Sequence, residues 1–293
     1  MSIASLLAVA TIAYTSSDLE SGSDLYVSTP HGLRLKKCVH AIPENARVHE
    51  HADGLMVHLL ESGSAYLISH DKECEAEAEG MARQRRETNQ WQDDTGFHHE
   101  GLLNFTAIYT APEEYPPDEG QLLYYFIGLE NSHGPLTIVQ PVVRYDKTGH
   151  HPDGWSMAPW NCCPKGQSLH GKTVPTTPGV PINTWIYTTA AGKVEIGMER
   201  LAEGPPAKSS FTVPLLERDW TYAVATLETY KQKDCASTTS RPFHFTDMKL
   251  SDSGGPVTPK WSAGMKQAAC KGGATIHGPS SVDLYGAKMP ESA

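Results

Sequence analysis

The chain predicts an antiparallel β-sandwich of two sheets, on three observations. From Gly96 onward short β-type runs follow one another closely. Pro and Gly cluster between them, as at Pro116-Pro117, Thr177-Pro-Gly179 and Gly204-Pro-Pro206. No amphipathic helix of the kind that crosses over a parallel sheet intervenes.

Taken in order, residues 1–14 form a candidate signal peptide, because the apolar run Ile3 to Ala10 is followed by small Thr11 and Ala13, although no basic residue precedes it. Residues 15–94 predict a small N-terminal accessory or propeptide-like segment. Asp24–Val27, Ala46–His49, Leu55–Leu59 and Ala65–Ile68 read as its strands, the last two joined by the turn Glu61-Ser-Gly-Ser64. The stretch Glu73–Asn89, rich in Glu, Ala, Arg and Gln without Pro, predicts a solvated linking helix. A boundary is expected near Gln90–Thr95, and residues 95–293 form the sandwich. Its clearest strands are Phe105–Tyr109, Leu122–Ile127, Thr137–Val143, Thr184–Tyr187, Val194–Met198, Ser210–Val213, Tyr222–Tyr230 and Phe243–Thr246.

Composition narrows the function. A formal charge of −10 argues against a nucleic-acid partner, since phosphate binding needs a basic surface and the single basic cluster is Arg83-Gln-Arg-Arg86. No later run is apolar for long enough to span a bilayer, so no membrane partner is expected. Six cysteines without a CxxC pair disfavour zinc and redox motifs and suit an oxidising compartment. Cys38 with Cys74 and Cys235 with Cys270 each bracket one local segment and are the expected disulfides; Cys162 and Cys163 are adjacent and stay open between a vicinal bridge and free thiols. With the sequon Asn104-Phe-Thr106, these features predict a secreted, extracellular, monomeric protein without cofactor.

Two strands carry the chemistry. Side chains alternate faces along a strand, so Ala223, Ala225, Leu227 and Thr229 share one face, suited to inter-sheet packing. Tyr222, Val224, Thr226, Glu228 and Tyr230 share the other, which mixes rings, a hydroxyl and a carboxylate like the floor of a groove. Gln140 shares its face with Leu136, Ile138 and Val142, and Phe126 and Gly128 line the same floor. A Gln and a Glu facing each other on adjacent strands can hold a water, activate it and stabilise the oxyanion formed when it attacks a carbonyl. A carboxyl on a partly dry face has its pKa raised, which favours work at acidic pH.

These residues resemble the eqolisin, or scytalidoglutamic, glutamic peptidases and related secreted proteins with a concanavalin-A-like sandwich. Tyr125-Phe-Ile-Gly-Leu-Glu130 is similar to the family's Trp-Val-Gly-Ile-Asp strand, Thr137-Ile-Val-Gln140 to the strand ending in its catalytic Gln, and Thr226-Leu-Glu228-Thr-Tyr230 to the strand bearing its catalytic Glu. The resemblance implies a concanavalin-A-like jelly roll over about residues 97–287. It also implies an acid-active endopeptidase cleaving polypeptide with Gln140 and Glu228 as catalytic pair, and no metal. Phe126, Glu130, Trp155, Trp160, Tyr222, Thr226 and Tyr230 are the expected substrate-binding residues. Phe126 stands where the family has Trp, Pro141-Val142 where it has Thr-Gly, and Arg144 where it has an acid; the acid expected near Trp155–Trp160 is missing.

Plainer readings compete. Gln140 can be a buried amide bonded to strand backbone, and Glu228 a carboxylate paired with Arg144 or Lys249. The histidines at 49, 51 and 58, at 98 and 99, and at 150 and 151 with Asp153 lack metal-ligand spacing. Asp252-Ser-Gly-Gly255 reads as a turn rather than a serine-protease loop. Six Trp and twelve Tyr leave a glycan-binding or lectin-like alternative, in which Trp155, Trp160, Trp185, Tyr187, Tyr222 and Tyr230 stack on sugar rings.

Overall fold

The structure is a computed structural model that describes residues 25–88, 91–117, 120–131, 137–147, 154–189, 191–201, 207–215, 220–230, 235–238, 241–265, 270 and 272–287. The candidate signal peptide, Leu136 and the His150-His151 pair lie outside the described residues. The elements up to the linking helix are β1 (Tyr26–Thr29), β2 (Gly32–Leu35), β3 (Val39–Ala41), β4 (Ala46–His51), β5 (Gly54–Leu59), β6 (Ala65–Ser69) and α1 (Lys72–Thr88). The remainder are β7 (Trp91–Leu102), β8 (Asn104–Thr110), β9 (Leu122–Glu130), β10 (Ile138–Asp146), β11 (Gly154–Cys162), β12 (Ser168–His170), β13 (Val174–Pro175), β14 (Pro181–Thr189), β15 (Lys193–Arg200), β16 (Lys208–Pro214), β17 (Trp220–Tyr230), β18 (Phe243–Asp252), β19 (Gly255–Val257), β20 (Ser262–Met265), β21 (Gly273–Gly278) and β22 (Ser281–Tyr285).

Two large sheets pack as an all-β sandwich. The first runs β20-β7-β17-β9-β10-β11-β12-β3, with β13 beside β11; the second runs β21-β22-β18-β8-β14-β15-β16-β4-β5-β6, with β19 beside β18. Between them lies the core: Ala223, Ala225 and Leu227 of β17 meet Phe105, Tyr109, Phe243 and Phe245 of the second sheet. Tyr125 stacks on Phe243 at 4.2 Å and 6°, a ring pairing that adds to simple area burial. The alternation read along 222–230 holds, with Val224 on the opposite, outer face among Phe126, Ile138 and Val142.

The N-terminal segment is part of both sheets rather than an appendage beside them. β3 pairs parallel with β12 at the edge of the first sheet, and β4 extends the second beside β16. The expected boundary at Gln90–Thr95 falls inside β7, which pairs with β17 along its length. Asp93-Asp94-Thr95-Gly96 looks like a linker because a strand lining a polar face carries polar residues. Cys38 bonds Cys74 and Cys235 bonds Cys270, the pairs singled out by bracketing, and Cys162 is joined to Cys163. Among the described residues no helix is long and apolar enough to cross a membrane.

One irregularity shapes the sheet. Proline is normally confined to edge strands, since it cannot donate to a ladder, yet Pro141 sits in β10, in the middle of the first sheet. The β9–β10 ladder skips Gln140 and Pro141, passing from Val139–Leu129 to Val142–Phe126. The hydroxyl of buried Tyr109, reaching across the core from β8, fills the gap: it accepts from the Ile127 N–H at 2.6 Å and donates to the Pro141 carbonyl at 3.0 Å.

Candidate active site

The outer face of the first sheet carries the candidate site as a set of cross-strand rows. Gln140 of β10 lies opposite Trp160 of β11. One row further along β10, Val142, Phe126 and Thr226 align. The next row sets Arg144 opposite Tyr124 and Tyr124 opposite Glu228. Since cross-strand partners share a face, Gln140 and Glu228 do point the same way, and both are buried, at 0% and 1% exposure.

They are not on adjacent strands. β9 lies between β10 and β17, and Gln140 falls in the row of Val224, four residues along β17 from Glu228. With strands about 4.8 Å apart and a rise of about 3.4 Å per residue, their Cα atoms are roughly 16 Å apart. The expected placement on adjacent strands is therefore corrected: the two residues share one face with β9 between them.

At the Glu228 end, the Tyr230 hydroxyl donates to Glu228 Oε1 at 2.6 Å. Tyr124 packs edge-on against Tyr230 at 5.9 Å. Burial pushes the Tyr124 hydroxyl well above its usual range, with Arg144 pulling it down and Asp146 and Glu228 pushing it further up. It therefore stays a protonated donor. Arg144 Nε donates to Ser156 Oγ at 2.8 Å, while its buried Nη2 has no partner among the described residues. Burial lowers the guanidinium pKa, opposed by Tyr124 and Asp146. Of the plain alternatives for Glu228, Arg144 lies one strand beyond Tyr124 in the same row, whereas Lys249 pairs with Asp247 on the second sheet.

At the Gln140 end, Gln140 Nε2 lies 3.3 Å from His31 Nδ1. The His31 ring meets Trp160 edge-on at 6.0 Å, and Trp160 stacks on His170 at 4.7 Å. Burial lowers the His170 pKa, so it is neutral near pH 7. His31 belongs to the β1–β2 hairpin, which lies over this face: the Tyr124 hydroxyl donates to the Ser28 carbonyl at 3.2 Å.

The other expected binding residues separate. Phe126, Trp160, Tyr222, Thr226 and Tyr230 share the outer face, with Glu130 in the row of Tyr222 and Ile138. Tyr222 lies over Gly96, where a Cβ would fall 1.8 Å from its hydroxyl oxygen, so the ring needs glycine there. Trp155 is not part of this surface. It points into the inter-sheet core against Tyr125, Tyr145 and Phe243. Trp185 and Tyr187 lie on the second sheet, Trp185 bonded to Glu195, so the six aromatics form no single sugar-stacking platform.

Sequence reasoning missed Tyr124, Asp94, His31 and His170 as members of this face. Tyr124 was within reach, because it alternates in step with Phe126. Asp94 lies in the row of Thr226 but hid in the apparent linker. Elsewhere, Asp252 bonds His99 at 2.8 Å and accepts from the Gly254 N–H at 2.7 Å, a turn between β18 and β19. Asn104 of the sequon donates to Ser251 Oγ at 2.7 Å.

No family model matches the chain, and no curated protein matches it in sequence. Among solved structures, scytalido-glutamic peptidase with a peptide-based transition-state analogue aligns at TM-score 0.48 and 14% identity, over 67% of this chain and 98% of that one. The same peptidase with a transition-state analogue inhibitor aligns at 0.49 and 14%, with the same coverage. SCP-B, an eqolisin-family peptidase in complex with the tripeptide Ala-Ile-His, aligns at 0.47 and 13%, again over 67% and 98%. These likenesses assign no activity to this chain.

Proposed function

We propose that this protein is a secreted, acid-active hydrolase of the glutamic-peptidase kind that cleaves polypeptide on the outer face of its first sheet. The observation that carries this reading is that the face already holds a peptide: the Ser28 carbonyl accepts from Tyr124 in the row that carries Glu228. A substrate carbonyl taking the place of Ser28 meets a neutral phenol donor beside a buried carboxylate. In this reading Glu228 takes a proton from the attacking water and returns it to the leaving amine. Tyr124 donates to the developing oxyanion, a contribution worth about 3–4 kcal/mol of barrier for one such donor. Tyr230 fixes the Glu228 carboxylate, and Gln140 with Trp160 receives a substrate side chain where His31 now sits.

The test is hydrolysis of a denatured polypeptide between acidic and neutral pH, using protein recovered from a secreting host. Glu228→Gln should abolish turnover, and Tyr124→Phe should lower kcat with little change in KM. Wild-type turnover in Glu228→Gln would place the chemistry elsewhere.

A further inference from the structure

The outer face of the second sheet, which the proposed chemistry does not use, carries the chain's one Asn-x-Ser/Thr sequence, Asn104-Phe105-Thr106. Its spacing of two equals the period of a strand, so Asn104 and Thr106 fall on one side of β8 and Phe105 on the other. Burial along β8 alternates in step: Phe105, Ala107 and Tyr109 lie in the inter-sheet core, whereas Asn104, Thr106 and Ile108 are only half-buried. A register one residue different would have turned both polar side chains into the core.

Asn104 opens β8, in the row of Tyr187 of β14 and Ser251 of β18. Its amide is held on both sides. Nδ2 donates to Ser251 Oγ at 2.7 Å, and Oδ1 accepts from the Thr188 N–H at 3.0 Å. The Thr188 N–H can only donate, which fixes the nitrogen on the Ser251 side. A primary amide has two N–H donors and the Ser251 bond uses one; exchange of the other hydrogen for a sugar carbon leaves both bonds in place. That side is also open. A Cβ on Gly255, in the adjoining turn, would meet nothing within 4 Å, and the Lys249 side chain, 67% exposed, is drawn to Asp247. The strands that flank β8 both come later in the chain. Thr188 and Ser251 lie 84 and 147 residues beyond Asn104, so the sequon is still unpaired when it meets a transferase that acts on unfolded protein.

We propose that Asn104 is a site of N-linked glycosylation, carrying an oligosaccharide on Nδ2. The donor is a lipid-linked diphospho-oligosaccharide. Its anomeric carbon bonds to Nδ2, which loses one proton, and the anomeric C–O bond breaks with its electron pair going to the departing diphosphate. The glycan projects from the sheet opposite to the Tyr124–Glu228 face and leaves that face uncovered. This inference goes beyond the proposed function and shares with it only passage through a secretory compartment.

The experiment expresses the full chain in a glycosylating eukaryotic host, once with its own N-terminus and once behind the host's signal peptide. Peptide masses are measured before and after treatment with a glycoamidase. The peptide containing Asn104 should carry an oligosaccharide, and its enzymatic release should leave aspartate in place of the asparagine. Thr106→Val, which keeps Asn104 and its two hydrogen bonds, should abolish the modification, and Thr106→Ser should retain it. An unmodified Asn104 in the leader-directed chain, whether recovered from medium or cells, overturns the proposal. So does an oligosaccharide on Asn104 that persists in Thr106→Val. Modification of the leader-directed chain alone would leave this inference standing and remove secretion from the proposed function.

Discussion

Glu77→Ala isolates the anchor that holds the hairpin to the sandwich. The Arg34 side chain is 0% exposed, and its Nε lies 3.3 Å from Glu77 Oε2. Burial alone lowers the guanidinium pKa, and Glu77 is the charge that offsets it. Removing one partner of a buried ion pair costs about 3–5 kcal/mol, because the other charge stays buried without compensation. Glu77 keeps 17% of its side chain in solvent, so the lower end, about 3 kcal/mol, applies. Since this pair joins the hairpin to α1, that cost falls on docking of the hairpin. At about 1.4 kcal/mol per decade the undocked population rises roughly 150-fold. Native-state hydrogen exchange reads this directly: amides of residues 27–35 should exchange faster by that factor, while those of β8 and β14 stay unchanged. The double variant Arg34→Met/Glu77→Leu should recover most of the protection, because an apolar pair of similar volume carries no desolvation penalty. Unchanged exchange in Glu77→Ala, or a double variant as open as the single one, would refute the reasoning.

Three further outcomes are expected. Tyr109→Phe strips the partner from two buried backbone groups, at Ile127 and Pro141, and should lower unfolding free energy in urea by about 2–5 kcal/mol. Tyr230→Phe, which removes the donor on Glu228 Oε1, should lower kcat on a polypeptide substrate while Trp185→Phe on the second sheet leaves it unchanged. The third concerns Asp283, which bonds His244 at 2.7 Å and His277 at 3.0 Å. The hydrogen bond that His244 donates to Asp283 raises the His244 pKa, so that stability is complete below the unfolded value and lost as pH rises through the folded one. Burial pushes Asp283 up, but the two histidines hold it below its usual value, so its contribution is lost only as pH falls through that lowered pKa. The clasp is thus strongest between about pH 4 and pH 6.5; wild-type Tm should fall toward pH 8, and Asp283→Asn should flatten the profile.

Faces were legible in the sequence where neighbours were not. Alternation along 222–230 sorted core from outer face because the pleat imposes it residue by residue. The same rule separates Trp155 from Trp160, an odd number of residues apart on one strand, and excludes Trp155 from the groove. Which strands lie side by side depends on pairings across the whole sheet, and β9 came between Gln140 and Glu228 without a local signal. Helix α1 was readable from composition, whereas β7 was hidden by its acidic residues. His31 could not be placed at all, because its partner Gln140 is 109 residues away.

The early strands β3 and β4 also set a timetable for synthesis. β3 must wait for β12, and β4 for β16, where Thr212 meets Arg47. At about 5–20 residues per second, the ribosome makes that partner roughly 8–33 s after β4 has emerged. Until then β4, β5 and β6 have one another, a three-stranded meander whose inner face is uncovered, which is marginal in water. An unpaired strand edge of this kind invites association with other chains. β3 and β4 are therefore made well before the partners that secure them, and the yield of folded protein should depend on what shields them during the interval.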